Sequence, residues 1–236
     1  KDFLPLTDGF IYVSANDIDA LKAAMQDDDV CAVMFECVQG EGGVNPLDKQ
    51  FVSEMAKLAG EKDILLVVDE VQTGNGRTGA LYAYMNYGIT PDIVSTAKGL
   101  GGGLPIGATL FGKKTADTLT KGTHGSTFGG NPVCCAGAIS ILSRIDDALL
   151  EDVREKSAYI FNELSGKPGI EGVSGMGLMI GLKTKKPAAQ VVKRCAEMGV
   201  LVITAHEKVR LLPALNIPME LVREACKVIE TACAEE

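Results

Sequence analysis

The chain has 236 residues, 46% of them hydrophobic, and its 23 basic and 31 acidic residues leave a net charge of −8. That is enough apolar material for a large core in one domain or one and a half, and the acidic balance argues against nucleic acid or an anionic membrane surface as a partner. No apolar run reaches membrane-spanning length and no secretory segment opens the chain, so a cytoplasmic location is expected.

The seven cysteines form no C-x-x-C pair and are expected to be reduced thiols filling the core. With only His124 and His206 and no matching ligand cluster, no metal site is expected.

The opening K-D-F-L-P-L-T-D-G-F has no initiator methionine and reads as the middle of a longer protein. Ser14 or Asn16 is then expected to cap a helix, with Asp17 and Asp19 at the positive end of its dipole. Residues 30–36, V-C-A-V-M-F-E, read as a buried strand, and residues 47–59 place Leu47, Phe51, Met55 and Leu58 on one helical stripe. Ile64 to Val68 is a continuous aliphatic run, as a parallel strand covered on both faces requires, and it ends in Asp69 and Glu70. An aromatic loop or short helix follows, then strands at Asp92 to Thr96 and Gly107 to Phe111. Alternation of strand and helix predicts an α/β fold with a mostly parallel sheet flanked by helices. Asp69 and Lys98 then both sit at strand carboxyl ends, where open α/β sheets place their chemistry and where desolvation activates an amine.

Asn131-Pro132 starts a helix, with proline at its first position, running to about Ile145. A second helix covers Ala148 to Leu164. S-G-K-P-G at 165–169 breaks the pattern. The remainder reads as a strand (Gly177 to Leu182), a helix (Ala188 to Met198), strands (Leu201 to Thr204 and Val209 to Leu212) and a helix (Met219 to Ala232). Two domains are therefore expected: residues 1–145, part of a larger α/β unit, and residues 146–236, a small α+β unit.

Two phosphate-binding motifs are nearly matched. G-N-G-R-T-G at 74–79 fits G-x-G-x-x-G, but five residues separate it from the strand that ends at Val68, so it does not form the tight strand-to-helix turn a pyrophosphate needs. G-A-T-L-F-G-K-K at 107–114 puts Lys114 where a magnesium-binding hydroxyl belongs, and its first glycine begins a strand. Neither carries weight.

A carboxylate at one strand end and a lysine at another suit pyridoxal phosphate, whose pyridine nitrogen needs an acid partner and whose aldehyde condenses with an amine. On five stretches the sequence strongly resembles the class-III aminotransferases, the PLP-dependent subgroup that includes acetylornithine and ornithine aminotransferases. These are E-C-V-Q-G-E-G-G-V at 36–44, V-V-D-E-V-Q-T-G-N-G-R-T-G at 67–79, S-T-A-K-G-L-G-G-G-L-P-I-G at 95–107, H-G-S-T-F-G-G-N-P at 124–132 and V-R-L-L-P-A-L-N-I at 209–217.

The resemblance implies fold type I of the PLP-dependent transferases and assigns roles. Lys98 becomes the cofactor-binding lysine and general base and acid, and Asp69 the partner of the pyridine nitrogen. Val71 packs on the ring and Gln72 bonds its phenolic oxygen. Ser126 and Thr127 become the phosphate pair, reaching across from a neighbouring subunit in a homodimer. Arg210 grips a substrate carboxylate, and Glu41 covers that arginine when an amine side chain enters. The implied activity moves the ω-amino group of N-acetylornithine, or a similar amine, to 2-oxoglutarate in arginine biosynthesis. Ornithine or 4-aminobutyrate aminotransferase, an aminomutase and an inactive piece remain as alternatives. Cys37, Asn75 and Ala214 depart from the residues usual in the family. The upstream phosphate loop, stacking aromatic and further substrate arginine of the family lie outside this sequence, which therefore reads as the C-terminal part of the enzyme.

Overall fold

The computed structural model describes residues 4–234. Its first half runs α1 (Ile18–Ala24), β1 (Ala32–Phe35), β2 (Val38–Gln39), β3 (Asn45–Pro46), α2 (Lys49–Glu61), β4 (Leu65–Asp69), β5 (Ile93–Thr96) and β6 (Ala108–Phe111), with short 3₁₀ turns at Ala83–Tyr87 and Lys98–Gly101. The first sheet has the order β1-β4-β5-β6. Its first three strands are parallel, and β6 lies antiparallel at the edge. Phe51, Val52, Met55 and Ala59 of α2 are buried with Leu21, Met25, Ile64 and Leu66. The helical stripe read from the sequence is thus the face that covers the sheet, with Leu58 at its half-buried margin.

The first helix is capped differently from expectation. Asp17 is its N-cap, with Oδ1 accepting from the Ala20 N–H at 2.9 Å. Asn16 adopts a left-handed backbone (φ 64°), and its side-chain oxygen instead accepts from the Asp48 N–H at the start of α2. Asparagine tolerates that conformation better than most residues, which moves the cap one residue on.

The second half comprises α3 (Pro132–Leu142), α4 (Asp147–Leu164), β7 (Ile170–Met176), β8 (Met179–Thr184), α5 (Ala188–Glu197), β9 (Ile203–Ala205), β10 (Lys208–Leu211) and α6 (Met219–Ala234). As proline at its first turn predicts, α3 starts at Asn131, whose side chain accepts from the Val133 and Cys134 N–H groups. Strand β7 escaped the sequence reading because Gly172 and Gly175 break its alternation. It forms by antiparallel pairing to β8, with a register shift between Ile170 and Gly172. The second sheet, β7-β8-β10-β9, is antiparallel. Side chains from α4, α5 and α6, among them Val153, Ile160, Val191, Cys195, Val222 and Ile229, pack with Ile180, Leu182, Val209 and Leu211 in one core.

Alternation along β10 sends Val209 and Leu211 into that core and Lys208 and Arg210 toward the first half of the chain. Several contacts join the halves. Lys208 Nζ donates to Asn45 Oδ1 and Ser174 Oγ, both at 2.8 Å, and the Ser174 hydroxyl donates to the Val44 carbonyl at 2.8 Å. Gly177, at φ 57°, lies so close to the Arg77–Thr78 peptide that a Cβ there would fall 2.4 Å from the Arg77 carbonyl oxygen. Arg77 donates to the carbonyls of Leu178 at 3.2 Å and Pro213 at 2.5 Å, and burial pulls its guanidinium down to about 10.

The G-N-G-R-T-G segment is therefore a packed joint between the two halves. A Cβ on Gly76 would press on Leu215 and Ile145, and one on Gly79 on Arg154. Likewise Lys114 of the second near-motif pairs with Asp63 at 2.7 Å. Arg77→Met should strand two carbonyls and lower unfolding free energy by about 2–4 kcal/mol, measurable by urea titration; a loss below ~0.5 kcal/mol would show that the joint is not held by this side chain.

Candidate active site

Register builds the site. In the parallel sheet Phe35 lies opposite Val68, and Asp69 opposite Ser95, so Glu36, Asp69 and Ser95 form a row across three strands at their carboxyl edge. The neighbouring positions Cys37 and Glu70 face the other way and are fully buried. Glu70 accepts from Thr73 Oγ1 at 2.6 Å and from the Ala83 and Tyr84 N–H groups at 2.9 Å, which pins the chain reversal after β4. Burial still raises its carboxyl above the ordinary range, against those three donors. Its work is architectural, whereas Asp69 opens to the edge and turns Oδ1 to the Val71 N–H at 2.8 Å.

Lys98 follows β5 directly, in a left-handed backbone (φ 44°) at the start of a 3₁₀ turn, and its side chain is exposed along the open edge. The desolvation expected for it is not supplied by the described residues. The glycines after it are not arranged as a cradle. Gly102, at φ 58°, faces Ile141 of α3, where a Cβ would lie 2.7 Å from Cδ1, and a Cβ on Gly101 would strike Ile106. This cluster lets the turn pack on α3.

Beside the strand ends stands a second group, contributed by both halves. Arg210 Nη1 donates to Glu41 Oε1 at 3.0 Å and to Gln72 Oε1 at 3.4 Å, while Gln72 Nε2 donates to Glu41 Oε1 at 3.1 Å. Sequence reasoning pairs Glu41 with Arg210 but assigns Gln72 to the cofactor; here Gln72 belongs to the same triad. Gly40 makes room for it, since a Cβ there would fall 2.5 Å from Gln72 Oε1. The pair is asymmetric: the Arg210 side chain is 8% exposed and that of Glu41 76%. The Arg210 hydrogen bond, followed by that of Gln72, holds the Glu41 carboxyl below its usual range, and Arg210 Nε is buried without a partner among the described residues.

Glu36 is the residue the sequence reading overlooked. It accepts from the Gly40 N–H at 3.1 Å. Burial raises its carboxyl above the ordinary range, Asp69 and Glu41 add to the rise, and the Gly40 N–H and Lys98 oppose it. Its only signal in the sequence was an acid at the end of a strand; the register that sets it beside Asp69 came from the structure. Ser126 and Thr127 lie in the exposed segment between β6 and α3, and among the described residues no hydrogen bond joins them to Lys98, Asp69 or Gln72.

The donor set suits pyridoxal phosphate. A carboxylate and a primary amine stand at adjacent strand ends, and the hydroxyl of Ser95, opposite Asp69, is buried without a partner among the described residues.

Comparison with known proteins gives the same direction. The aminotransferase class-III family matches residues 3–233. Acetylornithine aminotransferase of Haemophilus ducreyi is 45% identical over all of this chain and 60% of its own length, and that of Aquifex aeolicus 42% identical over 97% of this chain and 60% of its own. The chain thus spans about 60% of the curated relatives it matches. Among solved structures, ornithine aminotransferase from Toxoplasma gondii, described with partial occupancy of PLP, superposes with TM-score 0.92 at 35% identity, covering 98% of this chain and 57% of that one. N-acetylornithine aminotransferase from Stenotrophomonas maltophilia gives TM-score 0.87 at 36% identity, covering 96% and 62%.

Because its folded-state carboxyl is raised, Glu36 should stabilise the fold relative to Glu36→Gln most strongly below its ordinary value of 4.5, and the difference should shrink as pH rises through the folded-state value. Urea unfolding of both proteins across pH 4–8 reads this directly; a difference independent of pH, or one that grows with pH, contradicts the assignment.

Proposed function

We propose, for a chain that belongs to the aminotransferase class-III family, that it performs PLP-dependent transamination from the ω-amine of N-acetylornithine to 2-oxoglutarate. The carrying observation is the pairing, on adjacent strands, of Asp69 with the strand end that leads into Lys98, beside an arginine paired to a mostly exposed acid. The name shared by relatives at 42–45% identity supports the acetylated donor and hence arginine biosynthesis.

When bound, the cofactor supplies an electron sink that lets the carbon bearing the amine lose a proton. Asp69, with one oxygen oriented by the Val71 N–H, would keep a proton on the pyridine nitrogen. Val71 would pack against the ring, and Gln72 would bond its phenolic oxygen. Lys98 Nζ would hold the aldehyde and, once free, would take up the proton from the donor carbon and give it back on the cofactor side. Ser126 and Thr127 of a second subunit would hold the phosphate. Apolar side chains left open on α3, with Val133 67% and Ile139 68% exposed, support a homodimer, and a cytoplasmic setting accompanies this reading.

Arg210 binds the 2-oxoglutarate carboxylate that replaces Glu41. The exchange is inexpensive because Glu41 already lies mostly in water, where an ion pair contributes about 0–1 kcal/mol. With an ω-amine donor, Glu41 stays on the arginine and presents no net positive charge to the incoming ammonium.

In the full-length protein loaded with PLP, Lys98→Ala should abolish the absorbance of the lysine-bound cofactor; an unchanged spectrum refutes the site. N-acetylornithine should discharge that band in single turnover faster than ornithine or 4-aminobutyrate, and the reverse order would move the donor assignment to the faster amine. Arg210→Lys should raise the KM for 2-oxoglutarate roughly tenfold or more, while Glu41→Ala lowers it several-fold; Glu41→Ala leaving both substrates unaffected would contradict the exchange.

A further inference from the structure

The joint at residues 74–79 holds one buried polar side chain whose direction packing alone does not explain. Asn75 is 5% exposed and has a left-handed backbone (φ 56°). Its amide nitrogen donates to Thr96 Oγ1 at 3.0 Å and to the Ala97 carbonyl at 3.2 Å, the two residues before Lys98. On the other side of the lysine, a Cβ on Gly99 would lie 3.5 Å from Asn75 Cβ and 3.8 Å from its Nδ2. Asn75 therefore brackets Lys98 from behind, touching the chain on either side of it. Among the described residues the Asn75 Oδ1 atom is buried without a partner, a cost accepted while both amide hydrogens are used.

The backbone on which this acts is unusual. Ala97 has φ −161° and ψ −145°, and Lys98 follows in the left-handed region at φ 44°. For a long side chain that conformation is unfavourable by about 1–2 kcal/mol and persists only where neighbours enforce it. The 3₁₀ turn after Lys98 supplies one constraint, through the Leu100 N–H donating to the Ala97 carbonyl at 3.0 Å. Asn75 supplies the other, on the same carbonyl.

Resting on the assignment of Lys98 as the cofactor-binding lysine, we propose that Asn75 is a positioning residue for it: the Asn75 amide fixes the left-handed peptide from which the Lys98 amine is aimed. Because Arg77, two residues on, is tied to Leu178 and Pro213, the same loop connects the lysine to the end of the strand that carries Arg210.

Two variants of the full-length, PLP-loaded protein test this. Asn75→Leu removes both donated bonds and keeps the bulk; Asn75→Gly removes them while suiting the left-handed backbone, and it carries the test if the leucine variant does not fold. Both should still form the lysine-bound cofactor band. Its pH titration should be displaced, and its single-turnover discharge by the amine donor should slow roughly tenfold or more, as misplacement of a reacting group predicts, with the half-saturating donor concentration changed less than threefold. Wild-type titration and discharge within twofold of the original rate, with only a lowered melting temperature, would reduce Asn75 to packing and overturn the proposal. Absence of the band already in the unmodified protein would instead refute the reading of Lys98 on which it rests.

Discussion

Parallel pairing of β1, β4 and β5 in one fixed register is the constraint on which the site depends. Side chains alternate along a strand, so a slip of one residue would exchange Asp69 with Glu70 and send the edge carboxylate into the core. What prevents the slip is the difference between the two faces. Val68 and Glu70 belong to a buried layer with Cys37 and Ala83, and Glu70 is held there by three donors from the following segment. The buried glutamate thereby determines which acid reaches the edge. A polar group usually costs stability in such a place; here it fixes register and turn together.

The second sheet bears on the first through two loops of different character. Residues 40–46 meet β10 by polar contacts, Lys208 to Asn45 and Arg210 to Glu41. Residues 74–79 meet the second half by close backbone packing and by Arg77. The first loop ends beside the arginine, and the second passes beneath the lysine.

Much of this was legible in the sequence because it rested on local signals. The aliphatic run before Asp69, the stripe on α2 and the Asn131-Pro132 start depend on periodicity and capping, and they recur in the structure within a residue or two at most ends. Strand β7 was not legible, since its glycines carry no pattern and only its partner makes it a strand. The N-cap moved from Asn16 to Asp17 because Asn16 is claimed by α2, a contact 32 residues away. At the candidate site, the sequence singles out Asp69 and Lys98 by position and Glu41 with Arg210 by resemblance, and the structure brings Glu41 and Arg210 into contact. Glu36 needed the register of two strands, and the function of Asn75 needed the path of a loop that the sequence presented as a failed nucleotide motif. Both are long-range facts that no single window contains.

The left-handed peptide at Lys98 carries one more consequence. A lysine there is a poor choice for the backbone, and only glycine would occupy that conformation without strain. Chemistry and durability consequently pull the position in opposite directions. A glycine placed there would forfeit the amine and leave a more robust fold, the pattern expected where natural selection has held a sturdier protein back for the sake of what it must do.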